Sequence, residues 1–96
     1  SSTFYVRVDD DWRYDGIKSL ESRRLGMIAD YLYGDEFDSY VADNAENLNR
    51  VQTVAGSGTA LISNVRKLIG GRIDVIIEDP FVMAWLLKQH PEFESK

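Results

Sequence analysis

Gly70-Gly71-Arg72-Ile73-Asp74-Val75-Ile76-Ile77-Glu78-Asp79-Pro80 is the stretch on which the fold of this chain turns. Within eleven residues it reads as a helix stop, a buried strand and a helix start. The glycine pair ends an amphipathic segment, because a left-handed residue beyond the last helical turn costs glycine nothing. Val75-Ile76-Ile77 is a short β-branched run suited to a central strand covered on both faces. At Asp79-Pro80 a helix opens: Asp accepts from the free amides of a first turn, and Pro is pre-set for the first helical position. Glu78 and Asp79 therefore stand at the carboxyl end of a strand, the edge at which open α/β sheets bind ligands.

Working back from that stretch, Leu61, Ile62, Val65, Leu68 and Ile69 mark the face of a preceding helix. Arg66 and Lys67 lie near its carboxyl end, where cations suit the dipole. Gly56-Ser57-Gly58-Thr59 is a tight loop, and Val51 to Ala55 the strand before it. Phe37, Tyr40, Val41 and Ala45 recur at three- and four-residue steps, predicting a helix from Asp35 with acids in its first turn. The polar run from Asn44 to Asn49 ends it. Leu25 to Asp30 reads as a strand with Gly26 at a close approach of backbone or helix. Ser19 to Arg24 forms a short turn, and Thr3 to Val8 a strand at or near a sheet edge. Downstream, the last helix is expected to carry Phe81, Val82, Trp85 and Leu86 inward, and His90-Pro91 stops it. Strands and helices alternating at this spacing predict an α/β fold: a mostly parallel sheet of about four strands with helices on both faces.

The totals bound what such a chain does. Ninety-six residues make one domain, burying roughly 60–70% of its unfolded surface. An apolar fraction of 44% belongs to a globular protein. Net charge is −5 with no basic stripe, which argues against a nucleic-acid partner. Cysteine is absent, excluding disulfides and thiolate metal sites. No apolar run approaches the roughly 18–20 residues that span a bilayer.

Candidate chemistry is sparse. Asp9-Asp10-Asp11 lacks the further oxygen ligands of a calcium loop and reads as a solvated turn. Trp12 and Tyr14 read as anchors of a long loop, in preference to a stacking platform. The Gly56-Ser57-Gly58-Thr59 amides could hold an anion, but the spacing is not that of a P-loop, and a tight turn with a Ser or Thr cap is favoured. His90, the only histidine, has no serine in a nucleophile elbow to serve and reads as a surface residue closing a helix. By strand alternation Asp74, Ile76 and Glu78 share one side and Val75, Ile77 and Asp79 the other. Asp74 is expected to pair with Arg72 or the Lys67 region, and Glu78 to face solvent. For Asp79 the pattern favours the helix cap over a ligand contact.

Gly71-Arg72-Ile73-Asp74, a hydrophobic triplet, then Glu78-Asp79 and a helix resemble the second lobe of extracellular solute-binding proteins of family 3, the amino-acid receptors of ABC importers. Ser19 to Ile28 is similar to the segment that opens that lobe, and Leu61 to Gly71 to its helix ending in glycine. The likeness runs from about Ile17 to His90. It implies one lobe of a type II periplasmic-binding-protein-like fold over residues 1–96, with 92–96 a hinge-proximal or disordered tail. The missing first lobe of the same protein would close over the ligand, so the isolated lobe is expected to bind weakly.

Carried over residue by residue, the resemblance gives Asp79 the ligand α-ammonium. It gives the loop containing Tyr31, Tyr33 and Gly34 the α-carboxylate, and sets Ser57 and Gly58 at the cleft border. Here the two tyrosines replace the family's small Gly-Thr or Gly-Ser. The implied protein is periplasmic, is not an enzyme, needs no cofactor or metal, and partners ABC-transporter membrane subunits. Similar lobes serve as sensor regions of membrane kinases and of cell-wall lytic enzymes, which keeps a regulatory role open. A stand-alone enzyme using Asp74, Glu78 and Asp79 lacks a second convergent catalytic group. The apolar cleft side (Tyr31, Leu32, Tyr33, Phe81) favours a homodimer of the isolated lobe.

Overall fold

In the computed structural model, which describes residues 2–29, 33–56 and 58–96, the β-branched run forms a strand buried along its whole length. The elements are β1 (Thr3–Tyr5), β2 (Leu25–Ile28), α1 (Asp35–Asp43), β3 (Val51–Val54), α2 (Ala60–Ile69), β4 (Val75–Glu78) and α3 (Pro80–Gln89). Short 3-10 turns occupy Ile17–Leu20 and Pro91–Phe93. The sheet order is β1-β4-β2-β3. β2 runs parallel to both β4 and β3, and β1 is an antiparallel edge strand placing Thr3 opposite Glu78. A mostly parallel four-strand sheet with β4 inside it is the architecture expected from the chain's alternating pattern.

Side-chain alternation along β4 divides the core in two. Val75 and Ile77 join Leu25, Met27, Phe37 and Tyr40 under α1, while Ile76 joins Leu61, Val65, Leu68, Met83 and Leu86 under α2 and α3. The connection from β2 to β3 thus crosses one face with α1. The return from β3 to β4 crosses the other face with α2, as right-handed crossovers in opposite directions require. Gly71 takes the left-handed conformation (φ +78°) and its amide donates to Leu68 O, which ends α2 as the glycine pair implies. Gly26 does permit a close approach: a Cβ there would lie 2.3 Å from Ile73 Cδ1 and 3.3 Å from Asn64 Oδ1.

Three local expectations are corrected. α3 buries Met83 and Leu86 and turns Phe81 (86% exposed), Val82 and Trp85 (64%) outward. Because this helix is apolar on most of its circumference, spacing alone does not select its buried face. Asp74 pairs with neither Arg72 nor Lys67. Its carboxylate accepts from Arg24 Nε (3.0 Å) and from the Arg24 amide, and it also meets Arg7 Nη2. The Arg24 guanidinium holds the Asp74 carboxyl down at about 2. Glu78, expected in solvent, is 2% exposed.

Between β1 and β2 the long loop is anchored by its aromatics, as expected. Tyr14 stacks on Phe4 at 4.4 Å, Trp12 meets Phe4 edge-on, and Trp12 Nε1 donates to Ser19 O. Asp10 is more than a solvated acid: it accepts from the Trp12 amide and pairs with Arg23 at 2.6 Å. At the other terminus the Lys96 amide donates to Phe93 O, and the Val8 amide to Lys96 O, so the C-terminal residue is held by the segment that follows β1.

Candidate functional site

Each parallel strand is followed directly by a helix, so α1, α2 and α3 all begin at one edge of the sheet. β2 and β4 are neighbours, yet the chain leaves β2 toward the α1 face and leaves β4 toward the face of α2 and α3. Adjacent strands whose outgoing connections part to opposite faces open a crevice between them, the switch point at which doubly wound sheets hold ligands. Gly34 and Tyr33 border it from the β2 side, Asp79 from the β4 side. Gly58, before α2, stands at the same edge beyond β3. Tyr31 and Ser57, also expected in the site, lie outside the described residues.

Asp79 caps α3. Its Oδ1 accepts from the Phe81 amide at 2.8 Å and from the Val82 amide at 3.4 Å, and Pro80 fills the first helical position. The capping role read from sequence is therefore present, and the carboxylate sits at the strand end where a ligand contact would also need it. Gly34 is exposed and takes a positive φ of 133° as the residue leading into α1. Tyr33 is half-buried, its ring edge-on to Phe37 with centroids 5.4 Å apart, so part of it belongs to the core under α1. Thr59, at the start of α2, makes no side-chain capping bond, and Ser57, the other cap candidate of this loop, lies outside the described residues.

Two residues carry more of the local chemistry than the sequence suggested. Asp38 turns back on the start of α1: its carboxylate accepts from the Tyr33 amide (3.1 Å) and from the Gly34 amide (3.3 Å). The Gly34 amide is one of the donors that a bound carboxylate would seek at this helix. The spacing Gly34 to Asp38 was the available signal, since an acid in the first turn can fold back on the free amides. Glu78 is the second: its Oε1 accepts from the Asp79 amide, while Oε2 is buried without a partner. Burial pushes its carboxyl above the ordinary value, and the neighbouring Asp79 charge pushes the same way.

Charge is divided between the two ends of the sheet. Arg24, Arg50 and Arg72 precede the strands, and Arg66, Lys67 and Lys88 sit in the last turns of α2 and α3. At the opposite edge stand Asp35, Glu36, Asp38, Glu78 and Asp79. Among the described residues no group of acids or histidine is arranged to hold a metal ion. His90 ends α3 through its backbone amide, stacks on Phe93 and lies 3.6 Å from Glu92, which suits the helix-closing role.

Domain 2 of TmArgBP, known from a crystal structure, superposes on this chain with a TM-score of 0.56 at 18% identity, covering 95% of this chain and 88% of that one. The chain has the fold of one lobe of a periplasmic-binding-protein-like molecule. No protein-family model matches the sequence, and no curated protein does either. At 18% identity the shared property is the fold, with the switch-point crevice that comes with it.

Proposed function

We propose that this chain is one lobe of a two-lobed receptor that closes on a small solute bearing an ammonium group, an amino acid or a related cation. The observation that carries this reading is Asp79 at the end of β4, on the rim of the crevice between β2 and β4. In it, Asp79 neutralises the ligand ammonium, Tyr31 and Tyr33 give an aromatic wall, and Gly34, Ser57 and Gly58 border the cleft. The fold shared with domain 2 of TmArgBP, an arginine-binding protein, supports the assignment, as does the concentration of acids at this edge. Such a receptor works outside the cytoplasmic membrane and delivers its solute to the membrane subunits of an ABC importer.

Asp38 refines the ligand. With the Tyr33 and Gly34 amides that lead into α1 already engaged by Asp38, this lobe is a poorer carboxylate site there, and in this reading the solute's anionic group is met by the first lobe. The experiment is a thermal-shift and calorimetric screen of the two-lobed protein against amino acids and small amines. Asp79→Asn is the informative variant, because Asn caps a helix about as well as Asp and removes only the charge. A hit that loses roughly 10–100-fold in affinity in Asp79→Asn, the worth of one charge-assisted hydrogen bond, supports the reading. Unchanged affinity refutes the role of Asp79. Absence of any hit among cationic and zwitterionic solutes refutes the ligand class.

A further inference from the structure

Adjoining that crevice, on the face carrying α2 and α3, a groove of about 330 Å³ opens between the two helices and reaches the strand ends at Ile28 and Glu78 and the loop at Gly58. Ile28, Leu61, Val82, Trp85 and Leu86 make most of its wall, Thr59 and His90 also line it, and Glu78 lies in its floor. Part of the groove's depth follows from the phase of α3: turning Met83 and Leu86 to the sheet leaves Val82 and Trp85 as one bank. A volume near 330 Å³ is at the small end of the range in which proteins hold compact ligands.

The unusual feature is the floor. Glu78 is 98% removed from solvent by its 2% exposure, and Oε2 has no hydrogen-bond partner. An ionisable side chain left half-satisfied in an apolar setting is costly, and every such group calls for an explanation. Oε1 is already engaged by the Asp79 amide. What remains is an acceptor at the base of an apolar slot, with no cation from the protein paired to it among the described residues.

We infer that this groove is a second binding site, which takes a small primary amine whose apolar body lies between Leu61 and Trp85 and whose ammonium meets Glu78 Oε2. A charged donor is favoured over a neutral one because it both completes the carboxylate and cancels its charge, whereas a hydroxyl does only the first. Trp85, 64% exposed at the bank, supplies a ring face over which a cation can enter. The groove shares Gly58 and the strand-end edge with the receptor reading, but the inference uses Glu78 and the α2/α3 face in place of Asp79.

The test is a titration of the 96-residue chain with phenethylammonium and, in parallel, with its neutral isostere 2-phenylethanol, followed by amide and indole NMR. Saturable shifts centred on the Trp85 indole, Leu61 and Glu78 are expected, with the amine binding at least tenfold more tightly than the alcohol. Glu78→Gln should abolish that preference, and Asp79→Asn should keep it. Should Glu78→Gln not fold, the side-chain carboxyl carbon of Glu78 in the unaltered chain gives the same answer, since it must shift on adding amine and not on adding alcohol. Equal affinity for the two probes, or shifts spread over surface acids and erased by moderate salt, overturns the site. Loss of the preference in Asp79→Asn rather than Glu78→Gln reassigns the amine to the crevice and overturns it as well.

Discussion

Gly26→Ala tests the contact that lets α2 and the strand ends pack together. A Cβ at Gly26 meets Ile73 Cδ1 at 2.3 Å, far inside van der Waals contact, and Asn64 Oδ1 at 3.3 Å. Ile73 is 0% exposed, so its terminal methyl has nowhere to retreat without displacing the cluster beneath α2 and α3. Overpacking of this kind costs about 1–3 kcal/mol, which for a domain of this size lowers Tm by on the order of 4–20 °C. Ile73→Val removes the one atom that clashes, at a cost by itself of about 0.5–1.5 kcal/mol. The double variant should therefore be more stable than the sum of the singles predicts, by at least ~1 kcal/mol. Ile69→Val, in the same cluster but not against Gly26, should add to Gly26→Ala without coupling. Guanidinium unfolding followed by circular dichroism measures the parent and the five variants. Additivity of Gly26→Ala with Ile73→Val to within about 0.5 kcal/mol refutes the close approach.

Asp74 gives a pH signature. Its pKa is depressed from 3.8 to about 2, so it contributes stability above pH 3.8, lost as pH falls toward 2. With the side chain 17% exposed, that shift corresponds to about 2 kcal/mol. Asp74→Asn should be less stable than the parent at pH 7 by that order and converge with it near pH 2; parallel curves across that window exclude the assignment. Asn64, fully buried with Oδ1 and Nδ2 both unpartnered, should be a poor contributor. Asn64→Ala is expected to cost less than ~1 kcal/mol, against about 2–5 for Leu68→Ala one turn on; a loss above ~2 kcal/mol would mean the amide is satisfied after all. Asp79→Ala removes the α3 cap and should cost ~1 kcal/mol, with Asp79→Asn close to the parent. Phe81 and Trp85, both exposed on α3, should drive weak self-association of the isolated lobe. Sedimentation at high concentration checks it: a strictly monomeric chain, or Phe81→Ser with no effect, counts against it.

What was legible in the sequence was what is decided locally. A β-branched triplet between a glycine pair and Asp-Pro leaves few options, and β4, the Gly71 turn and the Asp79 cap all follow from neighbours in the chain. Gly26 was readable for a related reason, since a glycine inside an apolar strand needs a packing partner to account for it. The errors are non-local. Asp74 finds Arg24, fifty positions away, because β2 and β4 are brought side by side, and nothing near Asp74 in sequence announces that. The phase of α3 is set by which of its apolar residues the sheet and α2 accept, and Phe81, Val82, Met83, Trp85, Leu86 and Leu87 offer two plausible faces. Glu78 was placed correctly beside Ile76 on one side of the strand. Both sides of that strand being covered should then have led to its burial.

Asp38 connects the fold to the receptor proposal. Three helices begin at the ligand edge, and bare helix starts attract anions. At two of the three that tendency is reduced from within, by Asp38 on the Tyr33 and Gly34 amides and by Asp79 on the Phe81 and Val82 amides, while the start of α2 carries no side-chain cap. With guanidinium and ammonium groups collected at the other end of the sheet, the edge carries an excess of acids. Such an edge attracts the cationic part of a solute and repels its carboxylate. On the receptor reading, a zwitterion therefore binds this lobe chiefly through its ammonium. Its other end stays in water until the first lobe arrives. Closure then adds the missing carboxylate contact and removes solvent from the ammonium pair together, so affinity should rise steeply with closure and be weak in the lobe alone. Measuring the same solute against the isolated lobe and the two-lobed protein distinguishes this division of labour from a site complete within one lobe, for which the two affinities would agree.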